Sequence, residues 1–262
     1  MNLPRLLRPS RRVLLASFAL GFLLGGCATA PTTDPALLDP DKNSALKPAP
    51  RDPNWIKRHE GFVEIAKHGG VAVLFLGDSI TDFWRRDGPQ GGKSIWERDF
   101  APLRAANFGI SGDRTQHVLW RMANGELTGL QPKVVVLMIG TNNTGLERNT
   151  NAPRNTGPET IQGVTAVVKG LRARLPATRV LLLAIFPRAD NPVSPPQIRE
   201  INAALAKLDD RKFVRFLDIN AKLLNADGVL TKDIMPDLLH PNAKGYEIWA
   251  AAIRQPLAEM LK

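Results

Sequence analysis

Cysteine is all but missing from this chain: Cys27 is the only one. A lone thiol excludes a disulfide within the chain, and with it a cysteine cluster for a metal or redox centre. Histidine is sparse too, at His59, His68, His117 and His240, so a reaction that needs an imidazole has few candidates. No Gly-x-Ser-x-Gly elbow occurs, which excludes an ordinary α/β-hydrolase. Basic residues are scattered and no nucleic-acid motif is present, so no nucleic-acid partner is expected. Neither an internal repeat nor a second domain is visible.

What is present begins with an export signal. Arg5, Arg8, Arg11 and Arg12 precede an apolar run from Val13 to Leu24. About a dozen residues are too few to span a bilayer comfortably but suit a signal peptide. The run ends in Leu24-Gly25-Gly26-Cys27, which looks like a bacterial lipobox. Residues 1–26 are therefore read as a lipoprotein signal peptide and Cys27 as the lipidated new N-terminus. That places the protein in the bacterial cell envelope, held to a membrane by its lipid, with the outer membrane and its periplasmic or surface side as the expected location. An ordinary secretory signal cut near Ala28-Thr29-Ala30 is the alternative. The formal charge of +10 includes those four arginines, so the mature chain carries +6. At most this supports a weak attraction to acidic glycans or lipid headgroups.

Residues 27–52 carry Pro31, Pro35, Pro40, Pro48 and Pro50 and show no apolar period. They read as a lipid-anchored tether, roughly 70 Å long if extended at about 3.1 Å per residue. An arm packed on the domain is the other reading.

From residue 53 to 262 the chain is long enough for one domain with an ample core. Apolar runs recur at Val71–Leu76, Arg104–Phe108, Val134–Ile139, Val180–Ile185 and Phe213–Leu217. They are apolar nearly throughout, as suits strands buried on both faces of a parallel sheet. Amphipathic spacing between them predicts helices over Asp113–Asn124, Pro158–Leu175, Gln197–Leu208 and Ala243–Met260. Alternating strand and helix predicts an α/β fold, a three-layer α/β/α sandwich with a parallel sheet of about five strands. The polar stretch Asn143–Thr156 follows a predicted strand and is expected to overhang the sheet edge that carries the chemistry.

Four short segments carry that chemistry. Gly77-Asp78-Ser79 follows the first strand, so Ser79 sits near a helix start, where free N–H groups and the dipole favour a developing anion. Alone, such a serine is as well read as a helix cap. Gly112 precedes the predicted helix from Asp113, and a glycine N–H there can approach a ligand closely. Asn142, in Gly140-Thr141-Asn142-Asn143, offers a side-chain amide, though the segment alone could be a plain turn. His240 lies in a loop before the last helix with Asp237 three residues earlier. In a compact turn that carboxylate can accept from Nδ1 and leave Nε2 free for the serine. His117 falls inside a predicted helix, and His59 and His68 precede the first strand.

Together these segments resemble the SGNH (GDSL) hydrolase superfamily, and within it the catalytic subunits of intracellular platelet-activating-factor acetylhydrolase. The most specific stretch runs from Ala101-Pro102-Leu103 through Asn107-Phe108-Gly109-Ile110-Ser111-Gly112-Asp113 to Trp120-Arg121. The resemblance implies a flavodoxin-like fold without metal or cofactor. It implies Ser79 as nucleophile, Asp237 and His240 as the rest of the triad, and the Ser79 and Gly112 N–H groups with Asn142 as the oxyanion hole. It also suggests that Ile80, Thr141 and Leu239 line a small acyl pocket suited to acetyl.

The sequence departs from the pattern at Ser111, where similar proteins often have glycine, and by an insertion from Arg85 to Lys93. The expected function is a serine carboxylic-ester hydrolase removing short acyl groups, with a small ester or an acetylated glycan or lipid as substrate. A polysaccharide O-acetylesterase, with Trp84 or Trp96 stacking on sugar, and an acyltransferase stay open beside it. So do a non-catalytic binding lipoprotein and a homodimer formed through the helices.

Overall fold

A computed structural model describes residue 39, residues 41–147 and residues 149–262. Cys27 and the signal peptide lie outside the described residues. Five parallel strands form one sheet: β1 (Val73–Gly77), β2 (Ala105–Gly109), β3 (Val134–Met138), β4 (Arg179–Leu183) and β5 (Val214–Leu217). Their order is β2-β1-β3-β4-β5. Each lies within a residue or two of the apolar run that predicts it.

Side chains along β1 alternate between two cores. Leu74 and Leu76 join one cluster with Phe108, Val135, Leu137 and Val164. Val73 and Phe75 join the other with Val134, Val136, Trp84 and Trp249. Both faces of the sheet are thus covered, as the unbroken apolar runs require.

The helices are α1 (Pro53–His68), α2 (Ser79–Asp82), α3 (Lys93–Asp99), α4 (Thr115–Ala123), α5 (Gly157–Arg174), α6 (Ser194–Leu205) and α7 (Ala243–Leu261). Helices α4 to α7 match the predicted ones with ends shifted by a few residues. Helix α1 was not among them, although Trp55, His59, Phe62 and Ala66 recur at helical spacing on its buried face. Asp52 caps it by accepting from the Asn54 and Trp55 N–H groups, and Pro53 suits the first turn.

The tether reading needs correction. Within the described residues its last part packs as an arm on the domain. Ala45 and Asn43 are fully buried. Thr115 Oγ1 donates to Ala45 O at 2.8 Å, and Ala49 N donates to Gln116 O. Asn43 Nδ2 donates to Gln162 Oε1 at 3.1 Å. The physical reason is backbone satisfaction: this proline-rich stretch has no sheet or helix of its own, so its polar groups pair with α4 and α5. The packed body therefore starts ahead of residue 53.

A second correction concerns Trp84, which is fully buried against Tyr246, Trp249 and Phe100, with ring centroids 4.4, 4.9 and 5.3 Å away. It is a core side chain and cannot stack on a sugar. The insertion after it folds back on the domain, where Gly92 N donates to Phe83 O and Ala243 N donates to Pro89 O.

The order 2-1-3 reverses direction between β1 and β3, and in open parallel sheets the crevice at such a switch lies beyond the carboxyl ends of the strands. Ser79 follows β1 there, Gly112 follows β2 and Asn142 follows β3.

Candidate active site

The turn out of β1 is held close by two glycines. A side chain at Gly77 would collide with Thr81 Oγ1 and with Met138 O on the neighbouring strand. One at Gly109, its register partner on β2, would collide with Asp82 N. This tight approach brings α2 directly onto the strand ends. The cap of α2 is Asp78, whose Oδ1 accepts from Ile80 N at 3.0 Å. The serine is therefore the first helical residue rather than the cap, and its hydroxyl is free for another partner. Asp78 is fully buried, and burial pushes its carboxyl up to about 7. Tyr246 Oη donates to Ile80 O at 2.7 Å and fixes the same turn from the α7 side.

That other partner is His240. Ser79 Oγ lies 2.9 Å from His240 Nε2, and His240 Nδ1 lies 2.6 Å from Asp237 Oδ2. The other oxygen, Asp237 Oδ1, accepts from the backbone N–H groups of Leu239 at 3.0 Å and His240 at 2.7 Å. Leu238 makes this loop possible by adopting φ +58°, and its carbonyl accepts from Ala189 N. Partial burial alone would raise the Asp237 carboxyl. The side-chain and backbone hydrogen bonds from His240 outweigh it and hold the group below the usual carboxylate range. The imidazole also packs on the Phe83 ring at 4.9 Å between centroids.

The remaining histidines are occupied elsewhere. His117 Nδ1 accepts from Arg114 N at 2.9 Å, closing the start of α4. Burial first, and then Arg51, Arg114 and Arg121, push its pKa down to about 3. His59 Nε2 meets Asn124 O at 3.0 Å, and His68 meets Glu64 O at the far end of α1.

Gly112 has φ +82°, a conformation that favours glycine, and its N–H donates to no group among the described residues. Its loop is braced on all sides. Ser111, the departure from the family pattern, uses its hydroxyl to donate to Asp82 Oδ2 at 2.9 Å. Arg51, from the arm, donates to Ser111 O at 2.8 Å and to Asp113 Oδ1 at 3.1 Å. Trp55 Nε1 donates to the same Asp113 oxygen at 2.7 Å. Asn142 Nδ2 donates to Asp113 O at 3.0 Å, which ties the second candidate donor to the first. A side-chain amide carries two N–H bonds, so one remains for a ligand.

The Asn142 turn has its own anchors. Arg188 Nη1 donates to Thr141 O, and Arg154 Nη1 donates to Asn142 O, both at 2.9 Å. Asn143 is buried, and the side-chain oxygens of Thr115, Gln116 and Asn155 share its Nδ2 at 3.2, 3.1 and 2.9 Å. The polar stretch after Asn143 thus braces this turn through Arg154 and Asn155. Arg51, Asp82, Arg154 and Arg188 escaped the reading of the sequence. Beside near neighbours such as Arg85 for Asp82 and Asp190 for Arg188, each has a partner across the fold that no local spacing announces.

Of the three residues suggested for an acyl pocket, Ile80 and Thr141 are buried and Leu239 is partly exposed. The Ile80 side chain belongs to the core beside Trp84 and Phe83. A cavity of about 440 Å³ opens against His240, lined by Phe83, Arg86, Gln90, Pro236, Asp237 and Pro241 but by none of those three.

Residues 75–248 match the model of the GDSL-like lipase/acylhydrolase family. The chain is 35% identical over 228 residues to bovine (Bos taurus) platelet-activating factor acetylhydrolase IB subunit alpha1, covering 84% of this chain and 92% of the relative. It is 36% identical over 215 residues to the alpha2 subunit of Rattus norvegicus, covering 80% and 84%. Among solved structures, a GDSL-like lipase from Bacteroides thetaiotaomicron superposes with a TM-score of 0.59 at 21% identity, over 79% of this chain and 96% of that one.

Proposed function

Since the chain belongs to the GDSL-like lipase/acylhydrolase family and is a carboxylic-ester hydrolase, we propose that its reaction runs through Ser79, His240 and Asp237. The observation that carries this assignment is the unbroken line from Ser79 Oγ to His240 Nε2 at 2.9 Å and from His240 Nδ1 to Asp237 at 2.6 Å. The Asp237 carboxylate accepts from Nδ1–H, which leaves the Nε2 lone pair facing the hydroxyl.

Ser79 Oγ attacks the ester carbonyl carbon, and His240 Nε2 takes the hydroxyl proton. The charge on the former carbonyl oxygen is met by the Ser79 and Gly112 N–H groups and the Asn142 amide, each donor contributing about 3–4 kcal/mol. When the C–O bond to the alcohol breaks, His240 returns its proton to the leaving oxygen. Water then attacks the acyl-serine with His240 as base, the carboxylic acid departs and Ser79 is regenerated. Water is the acceptor we assign because the Asp237 side chain is 56% exposed and the imidazole borders an open cavity.

For the acyl group we assign acetyl. Two of the side chains beside the nucleophile and the Asn142 turn, Ile80 and Thr141, are closed off by packing, and the similar mammalian subunits are acetylhydrolases by name. The test is hydrolysis of p-nitrophenyl esters from acetate to dodecanoate. The acetate is expected to exceed the octanoate in kcat/KM by at least about 100-fold, since a longer chain forced against packed side chains costs about 1–3 kcal/mol or more. Equal rates on the two would discard the acetyl assignment.

The Leu24-Gly25-Gly26-Cys27 sequence supports a lipid anchor and an envelope location for this activity. Fatty-acid labelling of the protein in a bacterial host, lost in Cys27→Ser, is the expected result. Equal labelling of the two proteins would refute the anchor.

A further inference from the structure

The loop that carries Gly112 is a four-residue turn from Ile110 to Asp113, closed by Asp113 N donating to Ile110 O at 3.1 Å. Ile110 N donates to Gly77 O, so the turn hangs from the end of β1 beside Ser79. Gly112 stands third in it at φ +82°, while Ser111 has no positive φ. That combination is a type II turn. Types I and II differ in the tilt of their central peptide, which flips by roughly 180° between them. Here the central peptide joins Ser111 C=O to Gly112 N–H. A trans peptide is planar, so its C=O and N–H point in opposite directions. A flip would turn the Gly112 N–H to the other side of the loop and leave the ends of the turn in place. Glycine is at ease in either form.

Other bonds hold the groups around this peptide. Ser111 N and Oγ both donate to Asp82 Oδ2, and Asn142 Nδ2 donates to Asp113 O. The oxygen of the central peptide itself accepts from Arg51 Nη1 at 2.8 Å, and no second donor to it is found among the described residues. The same nitrogen donates to Asp113 Oδ1 at 3.1 Å, so one charged group bridges the two residues that flank Gly112. It also lies against the glycine, where an added Cβ would come within 3.2 Å of it. The arm aims this side chain. Ala49 N donates to Gln116 O on α4, and Asp52, next to Arg51, caps α1.

Resting on the hydrolase reading above, we infer that Arg51 is a positioning residue of the reaction, which holds the Ser111–Gly112 peptide in its type II tilt and so keeps the Gly112 N–H turned to the oxyanion. It acts through Gly112 and not on the substrate. Its charge adds to the effect, because a cation on the C=O polarises the peptide and strengthens its N–H as a donor. In the flipped tilt the Ser111 oxygen would take the place of the N–H and meet a developing negative charge. The proline-rich arm is thereby part of the catalytic apparatus as well as of the packed body.

The test keeps the arm and changes only its side chain. Arg51→Met is expected to lower kcat on p-nitrophenyl acetate about 30- to 100-fold with KM within about threefold, because an oxyanion donor serves the transition state alone. A trifluoromethyl ketone, whose carbonyl becomes an oxyanion when Ser79 adds to it, should lose affinity by the same factor as kcat/KM. Arg51→Lys should stay within about fivefold of the wild type, since one compact charge can serve both acceptors. A merely structural role would shift the melting temperature or the active fraction and leave the inhibitor affinity per active site unchanged. Asp113 keeps Arg121 and Trp55, so the fold is expected to persist. Should Arg51→Met fail to fold, Arg51→Gln takes its place, with an expected loss of about tenfold as the charge goes. A folded Met or Gln variant with kcat within about threefold of the wild type would overturn the inference. Nitrogen-15 relaxation of the Gly112 amide gives a reading apart from turnover: sharp in the wild type, broadened by exchange in the variant. If the wild type hydrolyses no ester, the hydrolase reading fails and this signal decides the positioning, which identical Gly112 resonances in the two proteins would refute.

Discussion

Ser79→Ala is expected to lower kcat on p-nitrophenyl acetate by at least about 10⁴-fold, equivalent to roughly 5 kcal/mol of transition-state stabilisation. The size follows from how the residue is used. Its Oγ makes the 2.9 Å contact to His240, and without it His240 has no hydroxyl proton to take and Asp237 no imidazolium to steady. A residual rate from the oxyanion donors alone would persist, as in other serine hydrolases. The fold should be indifferent to the change, because Asp78 and not Ser79 caps α2, and alanine is the best helix former. The measurement is single-turnover kinetics beside a thermal melt of both proteins. A variant that melts with the wild type yet keeps a tenth of its rate would show that another nucleophile does the work.

Arg121→Met should give the largest loss of stability of any single change considered. Arg121 is fully buried, ion-paired to Asp113 at 3.0 Å and to Glu126 at 2.6 Å. It also donates to Phe108 O at the end of β2. Methionine fills much of the volume but leaves buried Glu126 without its cation and Asp113 with Arg51 alone. Removing one partner of such a cluster costs about 3–5 kcal/mol, which for a domain of this size lowers Tm by roughly 6–20 °C.

The pH dependence has a definite sign. Burial already pushes the Glu126 carboxyl up to about 7, and loss of Arg121 pushes it further. A carboxyl whose folded pKa is raised contributes stability below its unfolded pKa and loses it as pH rises through the folded value. The gap between variant and wild type should therefore narrow from pH 8 to pH 5. Melting curves across that range decide the point. A Tm difference below about 2 °C at pH 8 would show that the Arg121 cluster does not contribute the stability assigned to it.

The contrast between what could be read from the chain and what could not is sharpest around Asp113. The strand before it, Ala105–Gly109, and the helix after it, Thr115–Ala123, follow from runs of apolar residues and their spacing. Gly112 stands out because a ligand-facing N–H at positive φ suits glycine. Asp113 itself looks like one more polar residue in a turn. In the folded chain it collects Arg51, Trp55 and Arg121, brought from 62, 58 and 8 positions away. Nothing in a periodic pattern encodes such a meeting.

The same holds at the arm. Proline-rich sequence without an apolar period reads as linker by composition. Its seat is made by groups on α4 and α5 that need partners, and these become visible only once those helices are packed. Trp84 shows the converse error. Beside an insertion rich in glycine and charge it suggests a surface ring, yet the fold surrounds it with Phe100, Tyr246 and Trp249.

By itself the sequence determined the parallel α/β sheet and most of its helices, and these rest on local physics: burial on two faces of a strand and helical spacing. The segments of Ser79, Gly112, Asn142 and His240 were each ambiguous alone and stood out only together, through their family resemblance. The tertiary structure alone decided that Asp78 caps the helix that begins at Ser79 and that Arg51 braces the Gly112 loop from the arm. It alone set Arg58 and Arg85 on one carboxylate, Asp82, a turn beyond Ser79. Hydrogen bonds and ion pairs are short-ranged and directional, so charges distant along the chain acquire meaning only when packing brings them within about 3 Å of one another.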